Sequence, residues 1–556
     1  MNDWSPAAGP RGGAATSEAA PAPPLPETGH SIPRPPLQQQ PPLGNFLARA
    51  AAVTAGVTAV GALLGLVRDQ AIAQIFGASV DSDAFLIAWT VPEMASTLLI
   101  EDAMALLLVP AFSHALARRA AARGRSLDPV RALVAATLPR LFVSLACAAV
   151  LLMLCAPLVV RILAPGFGDP QLAVDCTRLT ALTVLTFGIA GYFSAALRAH
   201  GSFLPPAGVY VAYNLGIIAT TLTLHSVWGV RAAAAGVAVG GLLMVLAQLP
   251  TFLRRVTWSP LLGKRRKSAA PHLGFAVLAP VVLFAVSRQS QVLVERFLAS
   301  SLPGGAISHL NYAQKVAQMP MVLSLMICTV TFPVVAQAMA DGDRERARRR
   351  VELDLALAGM VVLLGTALVL GYAHQIIEVL FERGAFDAQD TETTATVMRV
   401  YATGLLGHCL VGALGRPFFS SGRPTWYPAV AMAAGLAVTT VAGAAAVGHW
   451  GVHGIAAANA AGITTTALLL LSGLGSRVVA IEVRAISAAL GRLALAATAA
   501  GTAGWLAAPL VADPLLSAAT GCLLVPAVFT VTGLAVRAPE VVHLLALIRQ
   551  RIRHDR

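Results

Sequence analysis

Long apolar runs recur along almost the whole chain, and they restrict the fold more than any other feature of the sequence. Each run reaches the roughly 20 residues that a helix needs to cross a hydrocarbon core of about 30 Å. Such runs form helices, because in lipid every backbone N–H and C=O needs a protein partner. The 12% of charged residues agrees, since soluble domains carry about 25%. The sequence predicts an all-α polytopic membrane protein with about 14 transmembrane helices.

The basic residues are gathered in alternate loops between these runs. Examples are Arg118 with Arg119 after the second run and Arg254 with Arg255 after the sixth, whereas the loops between them are poor in base. Loops on the cytoplasmic side carry an excess of Lys and Arg. The pattern predicts that both termini are cytoplasmic. It also explains the net charge of +13 without a nucleic-acid partner.

The two ends of the chain and the cysteines indicate no further folded domain. Residues 1–43 are rich in Pro, Ala and Gln and are expected to form a disordered cytoplasmic tail without a cleavable signal peptide. Residues 537–556 are expected to form a basic amphipathic tail on the anionic inner leaflet. The 6 cysteines are scattered singly, which predicts no metal site, cofactor or disulfide framework.

Charged residues interrupt the first two apolar runs, where a membrane span normally excludes them. They include Arg68, Asp69, Asp83 and Glu101. Each costs roughly 2.5–3.5 kcal/mol at membrane depth, so such residues usually face a protein interior or a wet cavity. At about 100° per residue, Glu101 returns to the face of Asp83, unless Pro92 kinks the helix. This pattern predicts a polar pathway; the alternative is that the acids cap helices or snorkel near their ends.

Two later runs also carry polar residues. Arg288 and Glu295 are seven residues apart and fall within about 20° of one line on the seventh helix. A structural salt bridge to a neighbouring helix is the alternative for Arg288. Asn311, Lys315 and Gln318 share one face of the eighth helix.

Arg68, Arg288 and Lys315 are expected to line one cationic cavity. A cationic cavity suits an anionic ligand, and a diphosphate or a carboxylate is the natural candidate because arginine binds both in a bidentate way. The sequence has no phosphate-cradling loop, metal-ligand cluster or nucleophile elbow, so an enzyme is not expected.

Several stretches resemble the MurJ/MviN family of lipid II flippases, within the multidrug/oligosaccharidyl-lipid/polysaccharide exporter superfamily. They include GLVRDQAIAQIFGASVDSDAF, LNYAQKVAQMPMVLSLMICTVTFP and VLFERGAFDAQDTETTATVMRVYATGLLG. The resemblance runs in order over about residues 45 to 475. Carried over onto matching positions, the functional residues of the family fall on Arg68, Asp83 and Glu101.

The resemblance implies fourteen helices in two lobes around a central cavity, in the bacterial inner membrane. The expected divisions are an N-terminal lobe at 44–260, a second lobe at 261–480 and the last two helices at 481–536. The implied activity is alternating-access transfer of an undecaprenyl-diphosphate-linked saccharide lipid, lipid II, from the cytoplasmic to the periplasmic leaflet. Asp83 and Glu101 are expected to hold the cavity cations apart while the site is empty.

The chain departs from the family at three positions that usually hold arginine. Ala62, Ser96 and Lys315 stand there instead. We hypothesise that Arg288 partly replaces the missing charge. The alternatives left open are a flippase for another polyprenyl-linked saccharide, a relative that no longer transports, and a cation-coupled drug antiporter. The sequence predicts neither the coupling ion nor the oligomeric state.

Overall fold

The computed structural model describes residues 43–121, 128–256, 275–324, 343–420, 425–477 and 481–542. Within these ranges the chain is almost entirely helical and has no strand, which confirms the predicted all-α class. Nine of the described helices are long and apolar enough to cross a membrane, or up to ten if one bent pair forms a single span. The predicted count of fourteen is therefore not confirmed.

The helices of the first part are α1 (Leu43–Phe76), α2 (Val80–Ala95), α3 (Ala103–Ala121), α4 (Pro129–Leu154), α5 (Ala156–Leu163), α6 (Pro170–Ala181), α7 (Thr183–Ala199), α8 (Leu204–Ala207), α9 (Val209–Trp228) and α10 (Arg231–Arg255). The helices of the second part are α11 (Phe275–Ala299), α12 (Ala306–Ala317), α13 (Arg344–Phe381), α14 (Ala388–Ala402), α15 (Leu405–Ser420), α16 (Tyr427–Arg477), α17 (Val483–Ala507) and α18 (Pro514–Ala535).

Local sequence explains where many of these helices begin. Asp128, Asp169 and Asp513 each precede a proline, and each carboxylate accepts a hydrogen bond from a backbone N–H of the first turn. An aspartate at the N-cap satisfies a donor that the helix leaves free, and proline at the first position needs no donor. Such pairs therefore start α4, α6 and α18.

The turn between α1 and α2 falls at Gly77 to Ser79. Gly77 has a φ of 65°, a left-handed conformation that ends a helix most readily at glycine. Ser79 then starts α2 with a capping box to Ser82.

The second apolar run is not one regular α-helix. Pro92 lies inside α2, and the backbone becomes π-helical over Ser96–Asp102 before α3 continues. The predicted alignment of Asp83 with Glu101 assumed an uninterrupted α-helix. A π-helical segment closes its hydrogen bonds over five residues instead of four, so the uninterrupted α-helix that the alignment assumed is not present.

Close helix packing builds the rest of the described bundle. α9 packs on α10, where a Cβ at Gly216 would lie 2.7 Å from the Cα of Gly240. α11 packs on α16, α12 on α14, and α13 on both α17 and α18. The 51-residue α16 is broken at Gly451, as its length requires, since a straight helix of that size would span roughly 75 Å.

Some predictions lie outside the described residues. They are the tail at 1–43, except its last residue, and the basic tail at 537–556 beyond residue 542. Contacts divide the chain into Met1–Arg49, described only from residue 43, and Ala50–Arg556. The division into two lobes stays a prediction.

Candidate functional site

Arg68, in the second half of α1, is buried and has several partners. Its Nε and Nη2 donate to Asp69 Oδ1 at 3.0 and 2.7 Å, and its Nη1 donates to Asn214 Oδ1 at 3.0 Å. The guanidinium carbon lies 4.4 Å from the centre of the Trp89 ring, a cation–π contact. These contacts fix both the position and the plane of the guanidinium.

Asp69 carries a second cation on its other oxygen. Lys315 Nζ donates to Asp69 Oδ2 at 3.0 Å, which brings the last turn of α12 onto α1. One carboxylate therefore serves two cations, and the group keeps one unbalanced positive charge. The side chain of Lys315 is 30% exposed, against 9% for Arg68, so Lys315 is the cation that an incoming anion reaches first.

A hollow of about 240 Å³ opens beside these two cations. Trp89, Phe187 and Tyr213 form its aromatic wall, with ring centres 6.0 Å apart for Trp89 and Tyr213 and 5.3 Å for Phe187 and Tyr213. Its remaining lining includes Ser96, Thr97, Tyr210, Asn214 and Glu93. We call this space the Arg68 hollow.

Arg288 lies in a neighbouring hollow of about 150 Å³. Arg288 is exposed there, and Gln291, Gln318 and His408 contribute to the lining. Glu93 lines both hollows. The structure thus places the three predicted cations in two adjoining spaces, because α11 presents Arg288 beside α15 instead of beside Trp89.

The sequence analysis expected Asp83 to lie between the cations, but the structure places it elsewhere. Its Oδ2 accepts from the backbone N–H of Gly305 at 2.8 Å, and its Oδ1 accepts from both the N–H and the hydroxyl of Ser308 at 2.7 Å. These donors belong to the start of α12, so Asp83 joins α2 to that helix end. The carboxylate that contacts both Arg68 and Lys315 is that of Asp69. The side chain of Glu101 lies outside the described residues.

The secondary candidates fall in three places. Asp69 belongs to the Arg68 hollow, and Gln318 lines the Arg288 space. Glu295 is buried and accepts hydrogen bonds from Tyr401 and Asn459. Asn311 lines a small cavity beside Glu295.

The sequence analysis missed a second ion pair, in which Arg296 is buried and Glu93 is partly exposed. Arg296 Nη2 donates to Glu93 Oε2 at 3.0 Å, and Arg296 Nη1 donates to the hydroxyl of Thr90. Glu93 lies three residues after Thr90 and four before Thr97, so the three polar residues share one face of the helix. A glutamate on this polar face of an apolar helix was the signal that could have identified the ion pair.

Ion pairs of buried arginines beside polar hollows, in a bundle of membrane-spanning helices, define a multi-pass membrane transporter, since ionisable groups inside such bundles mark substrate pathways. The sequence profile of the family described as lipid II flippase MurJ matches residues 72–518. The chain belongs to the lipid II flippase MurJ family. The resemblance seen in the sequence is thereby confirmed, and the family is one of transporters and not of enzymes.

Individual relatives agree with this membership. The chain is 31% identical over 385 residues to the lipid II flippase MurJ of Burkholderia cenocepacia, covering 67% of this chain and 73% of that protein. It is 28% identical over 438 residues to a probable lipid II flippase MurJ of Bdellovibrio bacteriovorus, covering 76% of this chain and 81% of that protein.

Two solved structures show the shared fold. A lipid II flippase MurJ in an inward closed conformation has a TM-score of 0.70 at 18% identity, covering 86% of this chain and 98% of its own. An inward-facing multidrug resistance MATE family transporter of the MOP superfamily has a TM-score of 0.60 at 14% identity, covering 79% and 99%.

Proposed function

We propose that this protein carries lipid II, the undecaprenyl-diphosphate-linked peptidoglycan precursor, from the inner to the outer leaflet of the bacterial cytoplasmic membrane. The curated relatives bear the name lipid II flippase. The single observation that carries the proposal is the Arg68–Asp69–Lys315 group, a cation pair with one carboxylate beside a hollow.

The diphosphate would bind by taking over the place of Asp69. A phosphate oxygen offers the same hydrogen-bond acceptors as a carboxylate oxygen, and the guanidinium of Arg68 suits either in a bidentate way. Lys315 is the more exposed partner and would meet the headgroup first. Asp69 thus keeps the two cations together while the site is empty, and the polyprenyl chain would stay in the lipid.

Alternating access requires one side of the hollow to close while the other is open. Asp83 holds the start of α12, and two further contacts tie the α1–α2 turn to the α13–α14 turn. Ala78 N–H donates to Asp390 Oδ2 at 3.1 Å, and Ala385 N–H donates to Gln74 O at 2.8 Å. We infer that these contacts close one side and break when the substrate crosses. A ligand shifts this balance only by its difference in affinity for the two states.

The orientation proposed for the chain has both termini in the cytoplasm. α3 ends with Arg118 and Arg119, and α10 ends with Arg254 and Arg255, whereas the turn at Gly77 carries no basic residue. An excess of arginine at the ends of α3 and α10 supports a cytoplasmic location for those helix ends.

The test is a leaflet-accessibility assay in cells depleted of their own lipid II flippase. With this protein expressed, lipid II is expected to become accessible again to a membrane-impermeant reagent on the outer surface. Correctly inserted protein that leaves lipid II inaccessible contradicts the proposal.

A second candidate substrate is another polyprenyl-diphosphate saccharide. The observation that favours it is Ser96, a position where the resemblance led us to expect arginine. The Ser96 hydroxyl lies 3.2 Å from the Tyr210 hydroxyl, so this part of the hollow is neutral. Repeating the assay with a lipid-linked saccharide other than lipid II separates the two.

Replacing Arg288 by alanine is expected to slow lipid II transfer about tenfold at equal protein level, which corresponds to about 1.4 kcal/mol. Arg288 is exposed in the space next to the Arg68 hollow and offers the headgroup a further cation. Transfer rates in the accessibility assay measure the effect. Arg161→Ala, which removes an exposed arginine of α5, is the matched control. Equal rates for both variants contradict the hypothesis that Arg288 replaces missing charge.

A further inference from the structure

Gln291 of α11 is a buried amide with an unused hydrogen-bond donor. The residue is 4% exposed and lines the space of about 150 Å³ that also holds Arg288. Its Nε2 has no acceptor among the described residues. A buried donor without an acceptor costs free energy, and a bound acceptor recovers it. This donor therefore points to a ligand that presents an oxygen atom to the space.

Arg288 brings an unbalanced positive charge to the same space. It precedes Gln291 by three residues, so the two side chains lie on one face of α11. Arg288 is exposed and forms no ion pair or hydrogen bond with any described residue. Among the described residues that line the space, Glu93 is the one carboxylate, and Arg296 already donates to it at 3.0 Å. An anionic ligand would balance the charge of Arg288.

The space of Arg288 adjoins the Arg68 hollow through shared side chains. Glu93 lines both. Gln289, which lines the first, donates through Nε2 to the hydroxyl of Thr97 at 3.2 Å, and Thr97 lines the second. Because one side chain borders both spaces, a headgroup whose diphosphate lies in the Arg68 hollow extends toward Arg288 with the part that follows the diphosphate.

We propose that Arg288 and Gln291 form a carboxylate-binding subsite, and that it takes a carboxylate of the peptide in the lipid II headgroup. This inference rests on the proposed function and adds the part of the substrate that is recognised beyond the diphosphate. The guanidinium of Arg288 binds a carboxylate in a bidentate way, and Gln291 Nε2 offers a further donor to the same anion.

A peptide carboxylate fits this space better than a phosphate or a sugar does. Arg288 supplies one positive charge, which matches the single charge of a carboxylate, whereas the diphosphate has two cations in the other hollow. A volume of about 150 Å³ holds a carboxylate and the atoms next to it but not a disaccharide. Gln289 and Gln318 also border the space, and their amide groups can pair with a peptide backbone.

The subsite would distinguish lipid II from a lipid-linked neutral saccharide. Both ligands present a diphosphate to Arg68 and Lys315, but only the first presents a carboxylate to Arg288. With a neutral saccharide in place, the charge of Arg288 and the donor of Gln291 stay unpaired, and such unpaired groups oppose binding of the wrong ligand.

Equilibrium binding to the purified full-length protein tests the subsite with two forms of lipid II. One form has free peptide carboxylates, and in the other these are converted to amides, which removes the charge and nearly keeps the shape. The wild type is expected to bind the free form about tenfold more tightly, a difference of about 1.4 kcal/mol. In Arg288→Gln the ratio is expected to fall to about one. Arg161→Gln, which changes an exposed arginine of α5, should keep the tenfold ratio.

Gln291→Leu tests the second member of the subsite. It replaces a buried, unpaired amide by an apolar side chain of similar size, so the free energy of unfolding is not expected to fall. The preference for the free carboxylate is expected to drop to about threefold. A stable Gln291→Leu protein with the full tenfold preference contradicts the role of Gln291. If Arg288→Gln does not fold, the wild-type ratio and this variant decide the matter.

The outcomes separate the inference from the function. Wild-type protein that binds neither form of lipid II overturns the proposed function. Wild-type protein that binds both forms equally tightly, or Arg288→Gln protein that keeps the tenfold ratio, overturns the inference alone.

A polyprenyl-diphosphate saccharide with a uronic acid in place of the peptide tests the source of the carboxylate. The wild type is expected to bind it more weakly than lipid II. Tighter binding than lipid II, lost in Arg288→Gln, contradicts the assignment of the subsite to the peptide.

Discussion

Replacing Asp69 by asparagine is expected to lower the free energy of unfolding by about 3 kcal/mol, because Arg68 and Lys315 lose the carboxylate they share. Removing one partner from a buried ion pair usually costs about 3–5 kcal/mol, since a charge is left unpaired. The lower end applies here, because Lys315 is 30% exposed and water partly solvates it. Denaturant titration in detergent measures the change.

Asp175 provides a matched control for this prediction. It also serves two basic residues, Arg231 at 2.9 Å and Arg178 at 3.8 Å, but those side chains are 45% and 46% exposed. Asp175→Asn is therefore expected to cost about 1 kcal/mol or less. Combining Asp69→Asn with Lys315→Met should recover part of the stability, because one of the two unpaired cations is gone. If Asp69→Asn and Asp175→Asn lower the free energy of unfolding by the same amount, the result contradicts the role of Asp69 as the carboxylate shared by Arg68 and Lys315.

Asp83→Ala is expected to release the start of α12 at a cost of about 3 kcal/mol. The substitution removes three hydrogen bonds that Gly305 and Ser308 donate. Each hydrogen bond to a charged acceptor contributes about 1.5–3 kcal/mol, and water that enters the vacated space offsets part of the loss. Backbone amides of this helix start should exchange hydrogen roughly 100-fold faster. Hydrogen exchange read by mass spectrometry measures this.

The control for Asp83 is Asp81, an exposed carboxylate in the same first turn of α2. Asp81→Ala is expected to leave exchange at Gly305 and Ser308 unchanged. Unchanged exchange in Asp83→Ala as well contradicts the closing role given to this contact.

The helical class was predictable because lipid offers the backbone no hydrogen-bond partners, and a helix satisfies its N–H and C=O groups within the segment. The break between α1 and α2 was also predictable, since Gly77 and Ser79 are a helix-ending and a helix-starting residue. The uninterrupted α-helix assumed between Asp83 and Glu101 was wrong, because the sequence does not reveal how a proline is accommodated. Pro92 is followed by a π-helical segment, which interrupts the α-helical register.

The site was predictable as a set of charges but not as a set of pairs. Arg68 and Lys315 were identified because a cation inside an apolar run costs free energy and therefore usually has a function. Their common partner depends on α12 packing against α1, which no spacing along the chain encodes. For the same reason Asp83 was paired with cations, whereas its partners are the N–H of Gly305, 222 residues away, and the N–H and hydroxyl of Ser308.

The central claim is that Arg68 and Lys315 hold the diphosphate of a lipid headgroup, and equilibrium binding tests it most directly. Purified wild type and Arg68→Gln are titrated with lipid II and with an analogue that lacks the diphosphate. The account predicts that Arg68→Gln binds lipid II roughly 30-fold more weakly, a loss of about 2 kcal/mol, while both proteins bind the analogue equally weakly. Equal affinity of the two proteins for lipid II, or equal affinity of the wild type for lipid II and the analogue, contradicts it.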